Sequence, residues 1–489
     1  MNAPTSLPSS ESTSEPTSSI PSPLDLQPTL LISSLRTVVP EGGCTMDALI
    51  RVQAPAQPAS SQLAPRQPLR LSVVVDRSGS MSGEPLAEAL RCVNHIASRL
   101  QPADQIAVVL YDSHVQLPVP LQPANATTVE RALAGVESGG NTALFDGWQA
   151  GVDQLLGITA GQLGLELPSH APTGNLSRVI LLSDGQANNG LTEPLEIAKH
   201  CAKALTQGVS TTTVGLGRGF NEDLMIGMAR AGGGLQYYGQ TAEDLYDNFD
   251  EELALLQSLY LRQLHLKLTP ADGVIAEPLG VVEVMPNGQY RLSDLAWGAE
   301  SWLLVRLHVG PATVGTQKAL LAATLTAQVQ QGAQAAAATV QSNIWHFPML
   351  TLPVVVDADW QGAAKDETVA NRVLEVAFGE QAALARGLLM RGRVADAERL
   401  FAALEPQVAH HPWLQNKLSS LRELARRDAD MAAKELRFSH MKMSKRAVAL
   451  NETSGSFSIA ETDTTEIPAY LRRKMSEGKG RKSPPAGTS

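Results

Sequence analysis

From Leu69 to about Leu256 the chain alternates short apolar runs with segments whose apolar positions recur every three or four residues. LRLSVVVD (69–76) is almost continuously apolar and ends in Asp76, the pattern of a strand buried on both faces. Leu86, Leu90, Val93, Ala97 and Leu100 then mark one face of a helix. IAVVLY (106–111), RVILLSDG (178–185), VSTTTVGLG (209–217) and LQYYG (235–239) read as further strands. Helices are predicted from near Ala143, with Leu144, Trp148, Val152 and Leu155 on one side, and around 194–207, 221–231 and 241–258. This alternation predicts an α/β fold over 69–256, a doubly wound and mainly parallel sheet joined by crossover helices.

The pattern changes after Leu261. LHLKL (264–268) alternates apolar and polar residues, Asn287-Gly288 is a hairpin-turn signal, and SWLLVRLHV (301–309), ALLAATLTAQV (319–329) and TLPVVV (351–356) follow without helical periodicity. An antiparallel β-sandwich over 261–358 is the arrangement this predicts. Two earlier apolar runs within 29–53 have no partners of their own, and the Pro/Gln/Ser-rich linker 54–68 separates them from the α/β unit. They are expected to join the later sandwich, so that the α/β unit is inserted between its strands. Residues 363–436 return to helical spacing, with Gly392 between two amphipathic stretches, and read as an αα-hairpin similar to a single tetratricopeptide-type repeat. In residues 1–28, 17 are Ser, Thr or Pro, a composition that predicts disorder. The segment 437–489 reads as a mostly disordered basic tail, with six basic residues and one Glu in 470–482.

Composition narrows the function classes. The 489 residues carry 39 basic and 49 acidic side chains, a net charge of −10, which argues against broad nucleic-acid binding. No apolar stretch approaches the roughly 18–20 residues of a membrane span, and the N-terminus lacks the basic and apolar regions of a secretory signal. Cys44, Cys92 and Cys201 are few and widely spaced, which suggests neither a disulfide framework nor a zinc cluster. A soluble, cytoplasmic chain is expected, with Cys92 and Cys201 as packing residues.

The chemistry concentrates at strand ends. Asp76-Arg77-Ser78-Gly79-Ser80 follows a buried strand and precedes a helix, at the sheet edge where crevice loops form. Its three oxygen side chains at alternate positions converge if the loop turns tightly, and Gly79 permits that turn. Oxygen donors without nitrogen or sulfur suit Mg²⁺, Mn²⁺ or Ca²⁺ rather than zinc. Gly139-Gly140-Asn141-Thr142 and Ser183-Asp184-Gly185 are strand-end loops that can contribute to the same point. Asp146 and Asp112 are weaker neighbours, readable as an ordinary helix-surface carboxylate and a turn residue. Gly215, Gly217 and Gly219 read as a tight turn rather than a dinucleotide loop.

Asp-x-Ser-x-Ser, then a Thr, then an Asp after an apolar strand resembles the metal-ion-dependent adhesion site of von Willebrand factor type A domains. The segment 211–238 resembles the late part of that domain in bacterial members and in inter-alpha-trypsin-inhibitor heavy chains, where a β-rich region also accompanies it. The resemblance implies that Ser78, Ser80 and Thr142 coordinate a divalent cation, most simply Mg²⁺, with Asp76 and Asp184 contacting it directly or through water. It also implies a protein partner that presents an Asp or Glu to the metal, and allows a partner ATPase or multi-protein assembly. The expected function is a metal-dependent protein-binding adaptor or scaffold, not an enzyme. The alternative is a metal-dependent hydrolase or phosphatase using the same site. Against it, Ser78 stands where a second Asp would favour phosphoryl transfer, Met81 occupies the nucleophile position of GSMSG, and the chain contains no GxxxxGK[ST] loop.

Overall fold

The computed structural model describes residues 27–57, 68–157, 176–216, 220–239, 242–329, 342–444 and 447–449. Most of the Ser/Thr/Pro-rich start, most of the 54–68 linker, Gly217 and Gly219, and the 470–482 basic cluster lie outside them. The chain opens with β1 (Thr29–Ser34), the two-residue β2 (Val39–Pro40) and β3 (Cys44–Gln53). The α/β unit then runs β4 (Leu69–Asp76), α1 (Glu84–Arg99), β5 (Gln105–Tyr111), β6 (Val115–Pro123), α2 (Ala126–Leu133) and α3 (Leu144–Leu156). It continues through β7 (Leu176–Ser183), α4 (Pro194–Thr206), β8 (Val209–Leu216), α5 (Glu222–Ala231), β9 (Gly233–Gly239) and α6 (Glu243–Gln257).

The sheet order is β6-β5-β4-β7-β8-β9, parallel except for the edge strand β6. Every residue of β4, β7 and β8 is buried, as strands covered on both faces must be. Alternate residues of β4 feed opposite faces. Leu71, Val73 and Val75 pack under α1 and α6, whereas Val74 packs with Tyr111 under α3, α4 and α5. The polar run Thr211-Thr212-Thr213 survives in buried β8 because each hydroxyl has a partner: the Trp148 indole N–H, the Glu252 carboxylate and the Met225 carbonyl, respectively. The sequence pattern predicts neither β6 nor α2. β6 carries Pro118, Pro120 and Pro123, which suit an edge strand, and α2 is only eight residues long.

Helix α3 lies close to the sheet because Gly147 and Gly151 face it. A Cβ on Gly147 would press into the Tyr111 ring, and one on Gly151 would sit 2.5 Å from Val74 Cγ2. Gly147→Ala is therefore expected to destabilise the fold by about 1–3 kcal/mol in thermal or chemical denaturation. Gly227→Ala, in α5 with nothing near its Cβ position, is expected to be neutral or stabilising by up to about 1 kcal/mol.

Beyond α6 come β10 (Leu259–Pro270), β11 (Val274–Pro278), the short β12 (Glu283–Val284), β13 (Tyr290–Arg291) and β14 (Leu295–Ala296), then β15 (Ala299–Val309), β16 (Gln317–Val329) and β17 (Ser342–Val355). One sheet runs β1-β3-β15-β11; the other runs β12-β13-β10-β16-β17-β2. The strands before the α/β unit thus share both sheets with the strands after it. β3 pairs with β15 over its whole length, from Cys44↔Val309 to Gln53↔Glu300. Pairing is antiparallel throughout, except that Val39–Pro40 runs parallel to the end of β17. A common core including Ile50, Val52, Leu264, Leu266, Val305 and Leu325 fills the space between the sheets.

The helical unit exceeds the αα-hairpin read around Gly392. After the short α7 (Asp357–Gly362) it comprises α8 (Glu367–Leu389), α9 (Val394–Leu404), α10 (Pro412–Arg427) and α11 (Ala429–Ser444). Regular structure also passes residue 437, where the composition predicts the start of a tail: α11 runs on to Ser444, and β18 (Ala447–Ala449) adds to β15. Burial explains the larger unit. Phe378, Phe401, Leu414, Leu418, Leu421 and Leu436 form one core, which two helices alone could not enclose. Val369 and Val376 of α8 cover Leu49 and Leu304 on the outer face of β3 and β15. Among the described residues, no helix is long and apolar enough to cross a membrane.

Candidate metal centre

Three strands end side by side at one edge of the α/β sheet. β4 lies between β5 and β7, so Asp76, Tyr111 and Ser183, their last residues, are neighbours. Asp76 is fully buried. Its Oδ1 accepts the Ser78 N–H at 2.9 Å, and its Oδ2 accepts the Ser183 hydroxyl at 2.6 Å and the Tyr111 hydroxyl at 3.1 Å. Ser183 Oγ in turn accepts the Gly185 N–H. Burial raises the Asp76 pKa above the ordinary carboxylate value; the bonds from Ser183 and Ser78 offset part of that, and the charge of Asp184 adds to it. Burial, followed by the charge of Asp76, also holds Tyr111 well above its ordinary value, so its phenol remains a donor.

Two further loops close over this point. The chain turns through a short 3-10 segment, Gly79–Met81, which brings Ser80 back toward Ser78, with the hydroxyl oxygens 3.2 Å apart. Ser78 is buried and Ser80 exposed, so the pair runs from the interior to the surface. The Gly79 N–H donates to the Gly140 carbonyl, and the Gly139 N–H donates to the Arg77 carbonyl, tying the Thr142 loop to the Asp76 loop. Gly140 has φ +74°, and a Cβ there would lie 2.9 Å from Ser113 Oγ, so the tight approach requires glycine. Thr142 is buried and bracketed by Asn188: its N–H donates to Asn188 Oδ1 at 2.8 Å, and its carbonyl accepts the Asn188 N–H at 3.2 Å. Asn188 belongs to the loop that begins at Asp184, so the three loops form one hydrogen-bonded ring.

The loops so joined carry hard oxygen donors: hydroxyls of Ser78, Ser80 and Thr142, and carboxylates of Asp76 and Asp184. Neighbouring ligands on an octahedral Mg²⁺, with bonds of about 2.1 Å, lie about 3.0 Å apart, and somewhat farther apart on Ca²⁺. The 3.2 Å Ser78–Ser80 separation fits two hydroxyls on one such ion. Among the described residues, no group of three or more His, Cys, Asp or Glu assembles as a metal site, so a cation at this edge would depend on the hydroxyls as much as on carboxylates. The weaker neighbours separate. Asp112 forms an ion pair with Arg77 at 2.7 Å, whereas exposed Asp146 flanks Gly190 on the Asn188 loop. Tyr111, Ser183 as a donor to Asp76, and Asn188 are missing from the motif. The Asn188-Asn189-Gly190 run, a turn signal, is the trace that points to the last.

The fold and its strand-end cluster define an α/β domain with an oxygen-donor site at the carboxyl edge of a doubly wound sheet. Residues 71–251 match the von Willebrand factor type A domain, and the chain contains such a domain. Domains of this type commonly bind divalent metal and protein partners. An uncharacterized protein of Synechocystis sp. is 24% identical over 341 residues, spanning 67% of this chain and 75% of its own length. Inter-alpha-trypsin inhibitor heavy chain H4 of Bos taurus is 28% identical over 229 residues, 46% of this chain but only 23% of the heavy chain. Among solved structures, a von Willebrand factor type A protein from Catenulispora acidiphila superposes with a TM-score of 0.62 at 14% identity, covering 86% of this chain and 96% of its own. The shared fold therefore extends well beyond the 71–251 unit.

Proposed function

We propose that the chain is a metal-dependent protein-binding adaptor or scaffold. Ser78, Ser80 and Thr142 would hold a divalent cation, most simply Mg²⁺, with Asp76 and Asp184 contacting it directly or through water. The observation that carries this reading is the ring of hydrogen bonds joining the Asp76, Thr142 and Asp184 loops, with the Ser78 and Ser80 hydroxyls at a spacing suited to one ion. When bound, the cation supplies a coordination position that an Asp or Glu of a partner protein can fill. Mg²⁺ commonly retains exchangeable water, and a site rich in neutral hydroxyls leaves it short of negative charge.

The test is affinity capture with the full chain in Mg²⁺, in chelator, and with Asp76→Asn in Mg²⁺. A partner retained only in the first condition is the expected result, and the same partners in all three would overturn the proposal. Turnover of phosphate esters lost in Asp76→Asn would replace it with the hydrolase reading.

A further inference from the structure

The C-terminal helices grip the α/β unit beside the candidate site. Arg386 of α8 and Arg437 of α11 both reach Glu222 in the first turn of α5, at 3.3 and 3.6 Å, and Arg437 also reaches Asp223 at 2.5 Å. Lys434 of α11 lies 4.5 Å from the centre of the Phe220 ring, and Phe220 stacks on Tyr238, whose hydroxyl bonds Glu435 of α11. Glu222 is only 13% exposed, so its charge is screened far less than that of a free surface pair.

The other side of the same turn touches the Asp184 loop. Asn221, the N-cap of α5, donates its N–H to the Asp184 carbonyl at 2.7 Å, and its side chain caps Leu224 N–H. Gly185, at φ +68°, is wedged so closely that a Cβ would lie 3.0 Å from Met225 Cγ and 3.2 Å from the Asn221 carbonyl oxygen. Phe220–Met225 is thus a link with Asp184 on one side and three cationic side chains of the helical unit on the other.

We infer that docking of the C-terminal helices on the first turn of α5 sets the affinity of the Asp76–Thr142–Asp184 site for its cation, so that the helical unit senses whether the site is loaded. The docked helices hold the α5 turn, which holds the Asp184 loop in place for its ligand role; released helices leave that loop free to move. Coupling of this kind is reciprocal, so loading the site tightens the docking. The inference rests on the metal reading above.

The test uses the full chain with Mg²⁺ alone as probe. Arg386→Glu/Arg437→Glu is expected to lower Mg²⁺ affinity in calorimetry about five-fold or more and to speed amide exchange in α11. Arg386→Lys/Arg437→Lys, which keeps the charges, is expected to remain within about two-fold of wild type. In the unmutated chain, Mg²⁺ is expected to slow exchange in α11. Unchanged affinity in the Glu variant with α11 released, unchanged α11 exchange in that variant, or α11 exchange indifferent to Mg²⁺ in the unmutated chain would each overturn the coupling. An unmutated chain that binds no Mg²⁺ overturns the metal reading itself, and the coupling with it.

Discussion

Asp76→Asn is expected to reduce Mg²⁺ affinity by about 100-fold or more while leaving the metal-free protein at least as stable as wild type. The first expectation follows from removing a charged oxygen from the centre of the cluster. Lost outer-shell partners of metal sites already cost about 10–100-fold. The second follows from burial. The folded-state pKa of Asp76 lies above its ordinary value, so the metal-free carboxyl favours folding when protonated. That contribution is fully present below the ordinary carboxylate pKa and is lost as pH rises through the folded-state value. At neutral pH the ionised side chain is therefore a net cost that asparagine avoids, and the difference should shrink in acid. Denaturation at pH 7 with chelator should place the variant at or above wild type. Mg²⁺ at 100 times the dissociation constant should then stabilise wild type alone, by about 2.7 kcal/mol. A variant that is unstable in chelator, or that still responds to Mg²⁺, would show that Asp76 serves the fold rather than the ion.

The largest stability effect is expected at Glu252 of α6. Its carboxylate is 1% exposed and accepts from the Arg178 guanidinium, the Thr212 hydroxyl at 2.9 Å and the Tyr237 hydroxyl at 2.9 Å. Burial lowers the Arg178 pKa to about 10, which still leaves it charged at neutral pH. Glu252→Ala strands that cation with two hydroxyls and should cost about 3–5 kcal/mol in urea unfolding. Arg178→Met/Glu252→Leu removes both charges and should recover most of the loss, because the penalty lies in the unpaired partner rather than in the missing attraction. A double variant as unstable as Glu252→Ala would instead locate the cost in packing around α6.

Much of the α/β unit is legible in sequence because a strand covered on both faces has to be apolar at nearly every position. β4 and the centre of β7 come near that condition; β8, VSTTTVGL, is equally buried and reads as a strand through its β-branched residues instead. β6 does neither. An edge strand needs burial on fewer positions and tolerates proline, so VQLPVPLQP carries no such signature. α10 is obscured for a related reason: its buried stripe, Leu414, Leu418, Leu421 and Ala425, is diluted by the charged residues Arg422, Glu423, Arg426 and Arg427 between and after them. At the candidate site, Asp76, Ser78 and Ser80 are contiguous and readable as a motif. The groups that position them are not, because their bonds join distant residues. Tyr111 is 35 positions from Asp76, Asn188 is 46 from Thr142, and Ser183 is 107 from Asp76. Only the folded sheet brings those pairs together.

The pairing of β3 with β15 carries a consequence for the order in which the molecule is made. Gln53 meets its neighbour Glu300 across 247 residues, and every residue of the inserted unit is synthesised between them. During translation the inserted unit is complete before β15 exists, so it can fold while β1 and β3 wait with an unpaired edge. Those early strands are then the part of the nascent chain that most needs shielding from other strands. A ribosome stalled with α6 just clear of the exit tunnel should display a finished α/β unit beside an N-terminal segment still open to protease.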